Sequence, residues 1–199
     1  MNRTALFLSF MILLSCKETT GPNTQPESGA LMPLKVGNTW IGRATFYDTS
    51  GTVTTLANDS VTITEGDTVP SHIEWWQANH GRMYFAERSG FLSKRVPDEC
   101  GIGYRIAKYP AQNNDAFPTD CDQVYCRLNS KTRVVTVPAG TFTVYDFWIE
   151  TSGDGVRPRI EIRSYAPNTG LVQVQRTYAT SNGTPLGWYT WELVNYSLQ

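Results

Sequence analysis

Three cysteines near the middle of the chain, Cys100, Cys121 and Cys126, could pair as disulfides or bind a metal. Zinc needs further ligands close by, but both histidines, His72 and His80, lie far upstream. The spacing therefore predicts no metal site. In an oxidising compartment, three thiols give one disulfide and one free thiol, and a bridge from Cys100 to Cys121 or Cys126 would close the loop between them. The sequence leaves the choice of partners open.

Residues typical of hydrolases are present but are not arranged in a recognisable motif. No G-x-S-x-G segment occurs, and neither histidine belongs to a nucleophile-and-base pattern. Paired carboxylates could serve a glycosidase, but sequence spacing does not give their separation in space. The available acidic residues are Asp98, Glu99, Asp120, Asp122, Asp146 and Glu150. We predict no catalytic residues and no cofactor, and we expect Asp146 to be partly buried because its strand is rich in aromatic residues.

Aromatic side chains are numerous, with 6 Trp, 10 Tyr and 8 Phe in 199 residues. Core packing accounts for most of them. Neighbouring residues of a strand face opposite sides, so one member of each adjacent aromatic pair should line a concave surface that could hold an apolar or sugar ligand. The candidate ligand-binding residues are Trp75, Trp76, Trp148, Trp188, Tyr189 and Trp191.

The N-terminus combines Arg3, the apolar run 5–14 and the sequence Leu13-Leu14-Ser15-Cys16. A basic tip before a short apolar run is typical of a cleaved secretory signal. The segment resembles the signal peptide and lipobox of bacterial lipoproteins. The resemblance implies cleavage after residues 1–15 and acylation of Cys16, which would anchor the chain to a membrane.

Residues 17–29 follow with two prolines, two glycines and no large apolar side chain. Such a composition cannot bury enough surface to fold, so we predict a flexible tether over 16–30. Lys17 follows the acylated cysteine where an aspartate would imply retention in the inner membrane. By resemblance to proteobacterial sorting patterns, this favours the outer membrane, on its periplasmic face or at the cell surface.

Residues 31–199 suit one domain with a sizeable core. Removal of Arg3 with the signal leaves 16 basic and 18 acidic residues, which are interspersed along the chain. Nucleic acids are bound by basic faces, so this balance excludes them as partners.

The pattern of the domain is strand, turn, strand throughout. Turn residues recur at 49–51, 58–59, 65–67, 79–81, 89–90, 138–140, 152–155, 167–170 and 182–183. Only 97–129 breaks the rhythm, and we predict a cysteine-containing loop there. In 156–165, Arg157, Arg159, Glu161 and Arg163 alternate with apolar residues, which predicts a strand with one face in water. About ten or eleven strands joined by hairpins predict an all-β fold: one strongly curved antiparallel sheet, or a barrel or half-barrel, mostly a meander.

Three segments carry a second resemblance: 33–40 (PLKVGNTW), 137–142 (VPAGTF) and 165–172 (YAPNTGLV), with Glu192-Leu193 near the end. Together they resemble envelope lipoproteins of Bacteroidetes and related phyla that have no assigned activity. The resemblance implies a curved or barrel-like antiparallel fold, loosely similar to the half-barrels of periplasmic lipoprotein carriers, and brings no catalytic residues.

These observations predict a non-enzymatic outer-membrane lipoprotein that binds a hydrophobic ligand, a glycan or another envelope protein. An interior cavity would favour ligand binding, whereas a filled interior with an exposed apolar patch would favour a purely structural or assembly role. A hydrolase that uses the cysteine-containing loop is the third alternative. It would need a carboxylate pair or a histidine beside that loop.

Overall fold

The computed structural model describes residues 29–69, 73–79, 83–95, 103–119, 124–151, 159–179 and 184–199. The predicted signal peptide 1–15, Cys16 and the tether up to residue 28 lie outside this range. The described residues form twelve β-strands and no helix, so the predicted all-β class is confirmed. The strands are β1 Thr39–Tyr47, β2 Val53–Val69, β3 Ile73–Ala78, β4 Met83–Arg88, β5 Phe91–Arg95, β6 Tyr104–Lys108, β7 Ala116–Pro118, β8 Val124–Val137, β9 Gly140–Thr151, β10 Arg159–Ala166, β11 Gly170–Ala179 and β12 Pro185–Ser197.

The strands form one sheet in the order β6-β5-β4-β3-β2-β1-β12-β11-β10-β9-β8-β7. Two meanders run outward from the centre, and the pairing of β1 with β12 joins them. Every neighbouring pair is antiparallel. The two edges, β6 and β7, follow one another in the chain. The predicted curved, barrel-like meander is therefore confirmed.

Contacts between the two edges nearly close the sheet into a barrel. The Cys126 thiol on β8 lies 3.6 Å from the carbonyl oxygen of Ile106 on β6, to which it donates. The Phe117 ring on β7 packs edge-on against Phe91 on β5, with centroids 5.1 Å apart. Curling of this kind protects edge strands that would otherwise pair with other chains.

Two predicted turns are confirmed by the register of the strands they join. The turn before Gly140 connects β8 to β9, with Val137 paired to Gly140. The turn 167–169 connects β10 to β11, and Asn168 adopts the positive φ of 59° that its residue type tolerates.

Three other predictions need correction. No turn occurs at 58–59 or at 65–67, because β2 continues for 17 residues: Asn58 pairs with Arg43 of β1, and Gly66 pairs with Trp76 of β3. The segment 97–129 is not one loop, because it contains β6, β7 and the beginning of β8. The short strands β6 and β7 lie at the two edges of the sheet. Each is hydrogen-bonded to a neighbouring strand on one side only, β6 to β5 and β7 to β8.

The concave face of the sheet carries the core, with Trp40, Phe147 and Leu193 completely buried. Side-chain packing is very tight between the two central strands, β1 and β12, where the Trp191 ring lies against Gly42. A Cβ atom on Gly42 of β1 would lie 1.9 Å from Cε2 of Trp191 on β12, so the indole occupies the space that any other side chain would need. Glycine at this position lets the two meanders approach each other across the core.

A strap formed by residues 29–38 crosses one end of the half-barrel. Leu31 and Met32 are buried within it. The carbonyl oxygen of Ala30 accepts a hydrogen bond from Asn168 N at 2.8 Å, and Gly37 N donates to the carbonyl oxygen of Ile63 at 2.9 Å. The folded part of the chain therefore begins before residue 31, and the last two residues of the predicted tether belong to the strap.

A row of polar side chains crosses the convex face of the sheet from β8 to β1. Buried Asp146 accepts hydrogen bonds from Arg133 at 2.8 Å and from Ser164 at 2.6 Å. Arg133 also donates to Gln173 at 3.1 Å. The far end of the β8–β9 hairpin reaches β12, where Ala139 N donates to the carbonyl oxygen of Leu193 at 3.1 Å. Burial of Asp146 agrees with the sequence prediction.

We predict that Gly42→Ala lowers the free energy of unfolding by about 1–3 kcal/mol, because Trp191 must move to admit the methyl group. Urea unfolding followed by tryptophan fluorescence measures this change. Gly66→Ala is the matched control: its Cβ atom would meet the Trp76 ring at 3.4 Å, an ordinary contact. The control should be neutral or stabilising by about 0.5–1 kcal/mol. Equal effects of the two substitutions would contradict the close fit at Gly42.

Candidate functional site

A cavity of about 150 Å³ lies inside the half-barrel, between the two meanders. We refer to it as the lumen cavity. Its walls are mostly apolar or aromatic and come from both halves of the sheet: Val61, Met83, Phe85, Ile106, Tyr165, Leu171, Val174, Tyr189 and Trp191. Its charged lining residues are Asp59, Lys94, Glu161, Arg163 and Arg176. The lumen therefore combines an apolar surface with several ionisable groups.

Three of the charged residues form a compact ion cluster. Glu161 accepts a hydrogen bond from Arg176 Nε at 2.7 Å, and the Nε atom of Arg163 contacts the other oxygen of the same carboxylate. The side chains of Glu161, Arg163 and Arg176 are only 10%, 13% and 30% exposed. Each carboxylate oxygen therefore meets a guanidinium group in a place that water reaches poorly.

Strand register places the cluster in the lumen. Glu161 on β10 pairs with Arg176 on β11, and Arg163 lies two residues further along the same face as Glu161. Sequence alternation predicted that this charged face meets water, and that prediction is wrong. An alternating strand has the same pattern whether its polar face points outward or into a polar lumen. One signal for this cluster was available in the sequence. Glu161 and Arg176 have opposite charges, and a hairpin with its turn at 167–169 places them opposite each other.

The two arginines control the ionisation of Glu161. Burial disfavours its charged form, but the charges and hydrogen bonds of Arg163 and Arg176 outweigh burial and hold the pKa of Glu161 at about 2. Burial raises the pKa of Tyr165 and of Tyr189 to about 12. Near neutral pH, the lumen therefore presents an ionised carboxylate, two guanidinium ions and protonated phenols.

Of the six aromatic residues predicted to bind a ligand, Tyr189 and Trp191 line the lumen cavity. The ring of Tyr189 lies 5.7 Å from Cζ of Arg176, as in a cation–π contact. Trp76 lines a different cavity at the strap. The structure thus places one member of each adjacent aromatic pair beside a cavity.

The other three aromatic candidates line neither of these cavities. Trp75 is 3% exposed and lies so close to Gly103 that a Cβ atom there would meet its ring at 2.4 Å. Trp148 lies beneath the Arg127 guanidinium, which is 5.3 Å from its ring centroid. Trp188 stacks on Tyr47 at 5.0 Å and an interplanar angle of 14°. These contacts place all three outside the two cavities.

A second cavity of about 350 Å³ lies at the strap and is called the end cavity here. It is lined by Ala30, Pro33, Leu34, Lys35, Asn38, Trp76, Glu87, Leu198 and Gln199. Glu87 accepts a hydrogen bond from Met32 N at 3.3 Å. Partial burial raises the pKa of Glu87, against the hydrogen bonds that it accepts from the strap. The end cavity is therefore formed jointly by the strap, the C-terminus and β3–β4.

Among the cysteines, Cys126 is described and is a free, buried thiol. Burial raises its pKa to about 12, which makes it unreactive as a nucleophile or thiolate ligand. Cys100 and Cys121 lie outside the described residues, so a disulfide between them stays a prediction.

Of the remaining acidic residues and histidines named from the sequence, Asp146 is the one whose side chain is described. Asp146 belongs to the polar row on the convex face. Asp98, Glu99, Asp120, Asp122, His72 and His80 lie outside the described residues. Among the residues that are described, no group of three or more His, Cys, Asp and Glu side chains could hold a metal ion. That part of the chain also contains no helix long and apolar enough to span a membrane.

No model of a known protein family matches the sequence, and a comparison with curated proteins gives no match. Among solved structures, the chain is similar to the crystal structure of a "putative lipoprotein" from Parabacteroides distasonis ATCC 8503. The two chains share 17% sequence identity at a TM-score of 0.43, and the match covers 85% of this chain and 99% of the other. Functional inference therefore rests on the geometry of this chain itself.

We predict that the ion cluster makes stability depend on pH in the acid range. The pKa of Glu161 is about 2 in the folded state against an ordinary value of 4.5, so its ion pairs stabilise the fold above pH 4.5 and this contribution is lost as the pH falls towards 2. The shift corresponds to about 3 kcal/mol. Urea unfolding of the natural chain and of Glu161→Gln at several pH values should show a difference that is large at pH 6 and small near pH 2.

The control for this experiment is Glu192→Gln, which removes a carboxylate from the convex face, where it lies 3.7 Å from Arg43. Surface pairs of this kind contribute about 0–1 kcal/mol. A difference between the natural chain and Glu161→Gln that stays constant from pH 6 to pH 2 would show that the ion pairs of Glu161 do not stabilise the fold.

Proposed function

We propose that the protein is a lipid-anchored protein of the bacterial outer membrane and that it binds a small ligand in the lumen cavity. It acts as a binding module rather than an enzyme. The N-terminal segment ending at Cys16 supports the anchor, and the lumen cavity supports the binding role.

The ion cluster inside the lumen is the observation that carries the binding role. Removing charged groups from water costs several kcal/mol for each ion, and apolar side chains of similar volume often stabilise a fold as well or better. A core that needed only stability could therefore do without Glu161, Arg163 and Arg176. In this protein the three groups line a cavity with apolar walls, where they can orient a ligand.

The position of the strap supports the proposed anchor. The strap begins at Gly29, and only residues 17–28 separate it from the predicted acylated cysteine. The thirteen Cα–Cα steps from Cys16 to Gly29 span at most about 43–47 Å when extended. The anchored end of the domain is therefore the end that contains the strap and the end cavity, within this distance of the membrane.

An assembly role is the second candidate, because apolar side chains are exposed on the convex face. Val53, Leu56 and Leu186 are 53%, 62% and 52% exposed. Strand pairing places Val53 and Trp188 on either side of Tyr47. Exposed apolar patches often mark contacts with other proteins. This patch favours a protein partner in addition to a lumen ligand.

Extraction of the protein from bacterial envelopes tests the binding role. We expect small molecules to be released when the purified full-length chain is denatured in organic solvent and analysed by mass spectrometry. Val174→Trp should release less, because the larger ring fills the lumen cavity, whereas Val134→Trp, at a side chain 61% exposed, should release the same amount. Equal recovery from both variants, or no ligand from the natural chain, would contradict binding in the lumen.

The anchor is tested by Cys16→Ala in the full-length chain. We expect the variant to lose the mass of its acyl groups and to move from the membrane fraction to the soluble fraction, because several acyl chains are needed for stable anchoring. Fractionation and intact-mass measurement report the two effects. The matched substitution Ser15→Ala keeps a small residue before the cysteine and should leave both unchanged. If Cys16→Ala is processed and attached to the membrane as the natural chain is, the predicted lipid anchor at Cys16 is wrong.

A further inference from the structure

The first half of β2 forms an open edge of the sheet. β2 pairs with β1 from Val53 to Thr62, but its pairing with β3 begins only at Ile63. Every residue from 51 to 60 is exposed. An exposed strand edge presents backbone N–H and C=O groups that another chain can bind. We refer to residues 53–59 as the β2 edge.

Hydrogen bonds at one end of the β2 edge show which backbone groups point outward. The side chain of Asn79 donates to the carbonyl oxygen of Ser60 at 2.7 Å and accepts from Thr62 N at 2.9 Å. Backbone groups alternate between the two sides of an antiparallel strand, so every second residue points the same way. Asn58 and Leu56 therefore direct their N–H and C=O groups outward, away from β1.

The sequence of the β2 edge suits pairing with another strand. Residues 53–59 read VTTLAND and contain no lysine or proline, the residue types that commonly block exposed edges. Leu56 in the middle is 62% exposed, more than any other large apolar side chain that the structure describes. A bulge near Val53 and the Asn79 side chain limit the edge at its two ends. A partner strand would therefore cover residues 54–58, centred on Leu56.

A second copy of the same edge fits these features. In a two-fold pairing centred on Leu56, residues 54–58 meet the same residues of the other copy in antiparallel order. The two exposed leucines then lie side by side, and Asp59 of each copy lies opposite Val53 of the other rather than opposite an acidic residue. Each edge is already held as a strand by β1, so pairing loses little of the conformational entropy that a disordered peptide would lose.

We propose that the protein forms a two-fold dimer by antiparallel pairing of the β2 edges, which joins the two sheets into one. The interface uses the same edge of both copies, so the assembly is closed at two copies. This inference rests on the assembly role, the second candidate function above, and names its partner. It is independent of the lumen ligand and of the lipid anchor.

Disulfide crosslinking in bacterial envelopes tests the pairing. Leu56→Cys places one thiol of each copy opposite the other, and directly opposed residues have Cβ atoms about 4.5–5.5 Å apart, a gap that a disulfide closes with a small movement. Under mild oxidation of the full-length chain, we expect about tenfold more disulfide-linked dimer than with Val134→Cys. Val134 is the matched control, because its side chain is 61% exposed on β8. The natural chain reports any dimer formed through its own cysteines.

A charge exchange tests the register separately from folding. Leu56→Lys and Leu56→Asp each place like charges opposite one another in the dimer, whereas a mixture of the two variants pairs opposite charges. Sedimentation of the full-length protein in detergent should show dimers weakened about fivefold for each variant alone and recovered in the mixture. Mixing would not reverse misfolding, so recovery identifies pairing at the β2 edge.

The outcomes separate this inference from the assembly role. The dimer is wrong if Leu56→Cys gives no more dimer than Val134→Cys, or if the mixture dimerises no better than Leu56→Lys alone. Crosslinking of Leu56→Cys to a different protein instead of to itself would overturn the dimer and leave the assembly role with another partner. No crosslink of Leu56→Cys to any protein would overturn both the dimer and the use of this edge in assembly.

Discussion

Pairing of the first strand with the last is the interaction on which the structure depends. β1 and β12 are the only neighbours in the described sheet that are distant in sequence, and every other pair is a hairpin or follows directly in the chain. The bulge at Ile41/Gly42 lies within this pair, beside the place where Trp191 fills the space above Gly42. Backbone pairing and side-chain packing therefore meet at the same point, and together they hold two six-stranded meanders around one lumen.

Closure of the lumen explains the behaviour of its charged groups. On an open sheet, Glu161, Arg163 and Arg176 would be a surface cluster of little energetic consequence. Inside the curved sheet they are mostly removed from water, so the two arginines must neutralise the carboxylate. The chemistry of the candidate site is thus a consequence of the pairing between β1 and β12, although none of the three residues lies on those strands.

Local patterns were sufficient to predict the class of fold. The turns before Gly140 and at 167–169 contain residues that define hairpins locally, and the antiparallel meander follows from a series of such turns. The same reasoning failed at Asn58, because a polar pair typical of turns also fits a long strand whose two halves have different neighbours. It also failed for Glu161 and Arg163. Alternation reveals that two faces differ, but only the global curvature decides which face is enclosed.

The site was predictable only in part for a related reason. Adjacent aromatic residues must face opposite sides of a strand, and the structure places Trp76 and Tyr189 beside cavities while Trp75 and Trp188 pack elsewhere. Sequence could not rank the members of each pair, since the choice depends on register across the sheet. The strap was not predictable from composition. Leu31 and Met32 follow directly after a polar segment, yet they are buried in the core. The first described residues of the domain are therefore packed into its core. This packing fixes the positions of the strap and of the end cavity relative to the proposed anchor.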